Sequence, residues 1–390
     1  MGMNPKIMIL SLAQACYWFA VLVGISLSSV IGLQLAPRPS LATLPFALIS
    51  TGALLATYGL SVLMQRFGRR LGFQIGALAG TLAACLAMLA LYSQNFYLFC
   101  LANFIMGIYQ ASSVYYRLAA LDEVPAQQSG VAIGWVLSGS LLAAILGPSL
   151  ARFANQWLAE PKYLGAYALV AVFSLLALFL MSFLSAKPNA QLNKNTPATF
   201  LKSSAYWLGV GNTAFGQGVM MLMMLVAPLA MHQHHYSVDA GLSVIGWHII
   251  GMFLPSFVSG KLVDKFGVQR VLLAGLVVFA FSALVALLGT SAMHYHVSLF
   301  LLGMGWNLMY VAGTNQYNKA IPPAEKGRAQ GVAELSIAIA AIVGVVCGGV
   351  LINRFDWQSL NGGLLGVLIM IAALNSFLVL TKQGCNQSNK

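Results

Sequence analysis

The sequence predicts an all-α integral membrane protein, with twelve transmembrane helices arranged as two pseudo-symmetric six-helix bundles. Three observations predict it. Hydrophobic residues make up 59% of the chain and charged residues only 7%, against the roughly 25% charged that a water-soluble domain uses. The apolar residues come in blocks of about 20, the length that crosses a bilayer. Phrases also recur at nearly one offset. RFG at 66–68 matches KFG at 265–267, FIMGIYQ at 104–110 matches FLLGMGW at 300–306, and PAQQSG at 125–130 matches PAEKGR at 323–328, offsets of 199, 196 and 198. Such spacing marks an internal duplication.

The first span, 7–33, is longer than a signal-peptide core and shows no small-x-small cleavage site, so it reads as a retained helix. Spans 43–64 and 72–92 flank the basic phrase QRFGRR. Span 96–120 carries Tyr115, Tyr116 and Arg117 near its inner end, and spans 130–151 and 163–185 complete a first bundle at 1–185. The polar stretch at 186–202, rich in Asn, Pro and Lys, reads as a linker. The second bundle, 203–390, holds spans 203–229, 241–260, 271–290, 297–318, 329–351 and 362–381, with DKFGVQR after its second span.

Charge sets the orientation. With the N-terminus in the cytoplasm, sixteen Lys and Arg fall on the inner side and four on the outer: Arg38, Arg152, Lys162 and Arg354. This positive-inside bias puts both termini in the cytoplasm. The net charge of +12 is scattered between apolar blocks, which fits a membrane surface and argues against nucleic acid. The five cysteines fall mostly inside apolar blocks without paired spacing, so they read as core residues and not as a disulfide or zinc framework. There is no G-x-x-x-x-G-K-[ST] phosphate loop, H-E-x-x-H or G-x-S-x-G. No cofactor and no metal site is expected. A polytopic enzyme would need paired catalytic groups on one helical face, and a sensor would need an output domain; neither is seen.

LVDKFGVQRVL (262–272) resembles the loop motif G-x-L-x-D-[RK]-x-G-[RK]-[RK] of the major facilitator superfamily of transporters. Its first-half counterpart, LMQRFGRRLGF (63–73), has Gln65 at the acidic position. PPAEKGRAQG (322–331) resembles the family's P-E-x-x-R-x-x-G phrase, and the resemblance covers all twelve spans. Gly134, Ala143, Gly147 and Pro148 echo an antiporter pattern of small residues in part, with Ala143 in place of a glycine, and ordinary close packing is the favoured explanation. VIGWHIIGMFLPSFVSGKLVDKFG (244–267) resembles a proteobacterial branch associated with riboflavin uptake.

The resemblance implies a cytoplasmic gate in which each loop motif faces the fifth helix of the opposite half. Arg69 and Arg70 would face Glu325 and the start of the eleventh span, and Arg66 and Arg328 belong to the same gate. Asp264 and Arg270 would face the loop of Asp122 and Glu123 and the start of the fifth span, with Lys265 also in the gate. Arg–carboxylate pairs at a membrane boundary suit a latch that holds and releases. Intramembrane charges mark functional candidates. Glu334 either binds a transported proton or pairs with Arg328; Arg117 either meets an anionic substrate group or snorkels; His248 either couples protons or packs.

By the same resemblance, cavity candidates come from the first and fourth helices of each half. They are Gln14, Tyr17, Trp18, Gln110, Tyr115, Tyr116, Asn212, Gln217, Trp306, Asn307, Tyr310 and Asn315. Amides and aromatics with few charges suit a neutral or weakly charged planar solute. The remaining histidines, HQHH (232–235) and HYH (294–296), sit in expected outer loops without a completing ligand set. The expected protein is a monomeric secondary transporter of the bacterial inner membrane moving a small organic solute by alternating access. Uptake of a vitamin-like compound, with coupling to protons open, stands against proton-antiport efflux of amphipathic compounds.

Overall fold

The computed structural model describes residues 4–38, 41–158, 160–185, 198–352 and 354–388. Most of the expected linker, 186–197, lies outside them, as does Lys390; nor is the Pro148 side chain described. The described residues fold into α1 (Pro5–Leu35), α2 (Leu44–Phe67), α3 (Arg69–Tyr92), α4 (Phe96–Ser113), α5 (Tyr116–Ala120), α6 (Ser129–Trp157), α7 (Leu164–Met181), α8 (Ser204–Gln233), α9 (Val238–Phe253), α10 (Ser256–Phe266), α11 (Val268–Leu288), α12 (Ala292–Lys319), α13 (Lys326–Leu351) and α14 (Trp357–Ser388), joined by short 3-10 turns. Eleven stretches among them are long and apolar enough to cross a membrane, and a shorter apolar helix, Trp357–Ala373, lies within α14.

Fourteen helices serve twelve spans because the fourth and eighth are broken. In the eighth the cause is Pro255, which has no N–H to continue the helical ladder. In the fourth, α4 ends at Ser113 and α5 restarts at Tyr116. There the Arg117 guanidinium reaches back to the Val114 carbonyl.

Packing divides the chain into two compact units. One contains Met1–Leu208 and Gln316–Ile339; the other contains Gly209–Asn315 and Ala340–Lys390. The segment 316–339, which the repeat assigns to the second half, thus packs with the first half of the chain.

In the first unit α1 lies against α6 and α7, α2 against α4, and α3 against α4 and α7. Small residues permit this. A Cβ on Gly52 would come within 2.1 Å of the Phe104 carbonyl, and one on Gly107 within 2.3 Å of the Ile49 carbonyl. The second unit repeats the contact: a Cβ on Gly251 would meet the Phe300 carbonyl at 2.3 Å, and one on Gly303 the His248 carbonyl at 2.5 Å. These glycine pairs stand at the offsets of the sequence repeat. So do Gly68 and Gly267, whose φ values of +94° and +84° make the corner between the second and third helices of each half.

Candidate gate and cavity residues

The charged residues of the first unit concentrate where α2, α3, α5 and the start of α13 meet. Asp122, in the 3-10 turn Leu121–Glu123 after α5, takes the Arg69 Nε at 3.2 Å and is also paired with Lys326. Arg69 extends its other arm, Nη2, to Gln330 Oε1 at 2.7 Å, and Gln330 Nε2 donates to Asn318 Oδ1 at 2.6 Å. Two neutral donors from α2 complete the seam: Ser61 Oγ to the Gly327 carbonyl at 2.7 Å, and Gln65 Nε2 to the Ala324 carbonyl at 2.9 Å. At the margin Lys6 binds Glu123 at 2.8 Å, tying the start of α1 to the same turn.

Some partners differ from those the family motif implies. Arg69 meets Asp122 of its own half and Gln330 of α13. Glu325 takes the Thr199 hydroxyl on Oε1 and the Phe200 N–H on Oε2, the latter at 3.1 Å, so the acid expected to receive Arg69 holds the end of the linker. Asp122 serves Arg69 and Lys326 because the turn after α5 carries it beside the first turn of α3. Arg66 is exposed over the Phe67 ring at 5.0 Å, Arg70 and Arg328 are half-buried, and Lys265 lies over Phe266 at 5.2 Å. Asp264, Lys265 and Arg270 belong to the second unit, at the corner between α10 and α11.

Deeper in the first unit Arg117 Nη2 binds Glu334 Oε1 at 2.7 Å, with both side chains only 3% exposed. The Tyr317 hydroxyl donates to the same oxygen at 2.7 Å. Sequence spacing offered Arg328 on the same helix as partner; the fold brings Arg117 across 217 positions of chain. Arg117 therefore neither snorkels nor stands open to solvent.

The cavity candidates divide by where their polar atoms go. Tyr115 donates its hydroxyl to the Thr57 carbonyl at 2.9 Å, and Tyr116 sets its ring edge-on to Phe73 at 4.8 Å, so both pack inside the first unit. Tyr17 meets Tyr109 edge-on at 5.3 Å and Trp18 at 6.3 Å, Gln14 bonds Ser140 at 3.3 Å, and Gln110 is half-buried. Tyr109 was not singled out by sequence; its place seven residues before Tyr116, about two helical turns, was the available signal.

In the second unit Asn307 is fully buried. Its Nδ2 donates to the Met252 carbonyl at 2.7 Å and to Ser256 Oγ at 2.6 Å, bridging the break at Pro255. Its Nδ2 thus serves helix packing, while its buried Oδ1 finds no partner among the described residues. Asn212 and Asn315 are buried as well. Trp306 and Tyr310 stack with centroids 4.5 Å apart and planes at 24°, and Trp306 Nε1 donates to Gln217 Oε1 at 2.8 Å.

His248 is fully buried and donates Nδ1–H to the Leu299 carbonyl at 2.8 Å, which joins α9 to α12 and favours the packing reading. The outer histidines engage neighbours: His234 with the Tyr295 hydroxyl at 2.8 Å, His296 with Ser243 at 3.1 Å and His294 with Ser291 at 2.7 Å. Among the described residues no group of three or more His, Cys, Asp or Glu is arranged to hold a metal.

Duplicated bundles, glycine corners and a charged seam where the loop motifs lie define a membrane transporter, and the chain belongs to the Major Facilitator Superfamily, whose profile matches residues 8–255 and 207–388. It is a multi-pass membrane transporter and not an enzyme.

Among individual proteins it is similar to the riboflavin transporter RfnT of Brucella anthropi, 34% identical over 362 residues that cover 91% of each chain. An uncharacterized transporter of the same type, YdeG of Bacillus subtilis, is 26% identical over 385 residues, 93% of this chain and 89% of that one. Of solved structures, FucP in the outward conformation superposes with a TM-score of 0.73 at 15% identity, covering 95% of this chain and 99% of the other. A bacterial homologue of the iron transporter ferroportin in the outward-facing state gives 0.74 at 13% identity, covering 96% and 98%. At these identities the structural likeness speaks to fold alone.

Proposed function

We propose that the chain imports riboflavin, or a closely similar neutral planar vitamin, across the bacterial inner membrane by alternating access, with both termini cytoplasmic. The observation that carries this reading is the 34% identity to the riboflavin transporter RfnT across 91% of both chains. The side-chain chemistry supports it. Riboflavin is uncharged and presents a flat tricyclic face with a hydrogen-bonding edge. The Trp306–Tyr310 stack, buried in this structure, is the aromatic pair that would meet that face once the cavity opens. Gln217, half-buried beside it, supplies an amide for the edge.

The rocking bodies are the two halves of the repeat, 1–185 and 203–390. The seam of Arg69, Asp122, Lys326, Gln330, Ser61 and Gln65 is the cytoplasmic gate, because it bonds the first half to the segment that opens span eleven. Opening that side must also separate Arg117 from Glu334. A desolvated ion pair resists separation, since each charge left alone in the interior is costly. A proton on Glu334 lowers that cost, and this makes Glu334 the coupling carboxylate.

The test is riboflavin uptake into proteoliposomes with and without an inward proton gradient. The wild type should accumulate riboflavin and respond to the gradient. Glu334→Gln should keep riboflavin exchange across the membrane but lose gradient-driven accumulation; unchanged accumulation in that variant removes Glu334 from the coupling role.

A further inference from the structure

The second half's acidic motif residue does something the motif does not prescribe. Glu325 sits in the 3-10 turn Pro323–Glu325, and it is only 3% exposed. One oxygen takes the Thr199 hydroxyl and the other the Phe200 N–H at 3.1 Å. Those donors open the 3-10 turn Thr199–Lys202, the last turn before α8. For the Phe200 N–H the carboxylate thus supplies from outside an acceptor that a short helical turn lacks at its start.

Around this clip the linker end is fixed at several points. Phe200 is buried and meets Tyr206 edge-on at 5.1 Å. The Tyr206 hydroxyl donates to the Ala329 carbonyl at 2.7 Å, and Trp207 Nε1 donates to the Leu201 carbonyl at 2.9 Å. The loop carrying Glu325 is therefore held from two directions. Ser61, Gln65 and Asp122 bind Gly327, Ala324 and Lys326 from the first half, while Glu325 and Ala329 bind the linker end and α8.

We propose that the last turn of the linker is a working part of the gate and that Glu325 is the positioning residue that fastens it there. The clip sets where the loop 322–325 stands, and so whether Lys326 and Gln330 can reach Asp122 and Arg69. The proposal rests on the gate reading above.

The experiment uses the full chain in lipid nanodiscs, with Glu325→Ala, Glu325→Gln and Thr199→Val. Hydrogen exchange across 198–203 reads the clip. Reactivity of a cysteine at position 61 (Ser61→Cys) toward a membrane-impermeant thiol reagent reads the gate, without reference to substrate. In Glu325→Ala, exchange should rise about tenfold, as for a lost hydrogen bond to a charged group, and Cys labelling should quicken. Thr199→Val, which keeps the Phe200 bond, should fall between this variant and the wild type in both readouts, as should Glu325→Gln; these two carry the test if the alanine variant does not fold. In proteoliposomes the maximal uptake rate should change with KM unaltered. Unchanged exchange overturns the fastening; raised exchange with unchanged labelling overturns its part in the gate. A wild type that carries no riboflavin contradicts the substrate reading, and labelling still decides this one.

Discussion

Gln65 occupies the position where the family motif prescribes an acid, and its surroundings explain the exchange. Its Nε2 donates to the Ala324 carbonyl at 2.9 Å, and its side chain lies against Gly327, where any Cβ would approach it to 2.5 Å. A carboxylate at 65 would turn acceptor against acceptor in a buried place. Gln65→Glu should therefore lower stability by about 1–3 kcal/mol, the cost of an unmet buried polar group, in thermal unfolding of the purified protein; an unchanged midpoint would contradict that account. The Arg117–Glu334 pair makes a second claim at this scale. Replacing either member alone, Arg117→Met or Glu334→Leu, should cost about 3–5 kcal/mol, whereas the double variant should recover most of it, as buried pairs replaced by apolar residues do. All three should lose coupled transport. If the double variant is as unstable as the singles, the pair is not the source of the cost. Sequence marked both residues as costly charges in a membrane, but it could not join them, because their separation of 217 positions leaves no periodic trace.

At the scale of elements, what was legible followed local chemistry. Hydropathy blocks located the helices, and the [RK]FG phrases located the corners, where Gly68 and Gly267 adopt the positive φ that glycine tolerates. The break in the eighth span at Pro255 was passed over when 241–260 was read as one continuous span, and its bridging by Asn307 was not legible either, since an amide on the tenth span read equally as a ligand contact. The partner of Glu325 was illegible for a related reason: an acid beside a basic motif suggests an arginine as its mate, while its donors, Thr199 and Phe200, come from a linker with no pattern of its own. The duplicated glycine contacts give a paired prediction. Gly52→Ala and Gly251→Ala each force a methyl to within 2.1 Å and 2.3 Å of a facing carbonyl. Each should destabilise by about 1–3 kcal/mol through overpacking, and by similar amounts because the repeat places them alike. A large loss at one site with none at the other would show that the two contacts are not equivalent.

For the whole molecule, the division into packing units does not follow the division of the repeat. Gln316–Ile339 packs with Met1–Leu208, so the second half contributes the end of span ten and the start of span eleven to the first unit. Under the proposed gate reading this packing has a mutational consequence. Arg69→Ala or Lys326→Ala should quicken inner-side labelling of a cysteine at position 61, because each removes a cation from Asp122; labelling at the wild-type rate in both would contradict the gate. Substrate was the least legible property, because the loop motifs are specific to the family and nearly silent on substrate, and the cavity candidates are neutral residues that suit packing as well as binding. The most direct measurement of the central claim is uptake of labelled riboflavin into proteoliposomes, compared with and without an imposed proton gradient. The account predicts accumulation that unlabelled riboflavin competes away and that the gradient enhances. Folded, correctly inserted protein that takes up no riboflavin under either condition, yet extrudes amphipathic cations against a proton gradient, would contradict it.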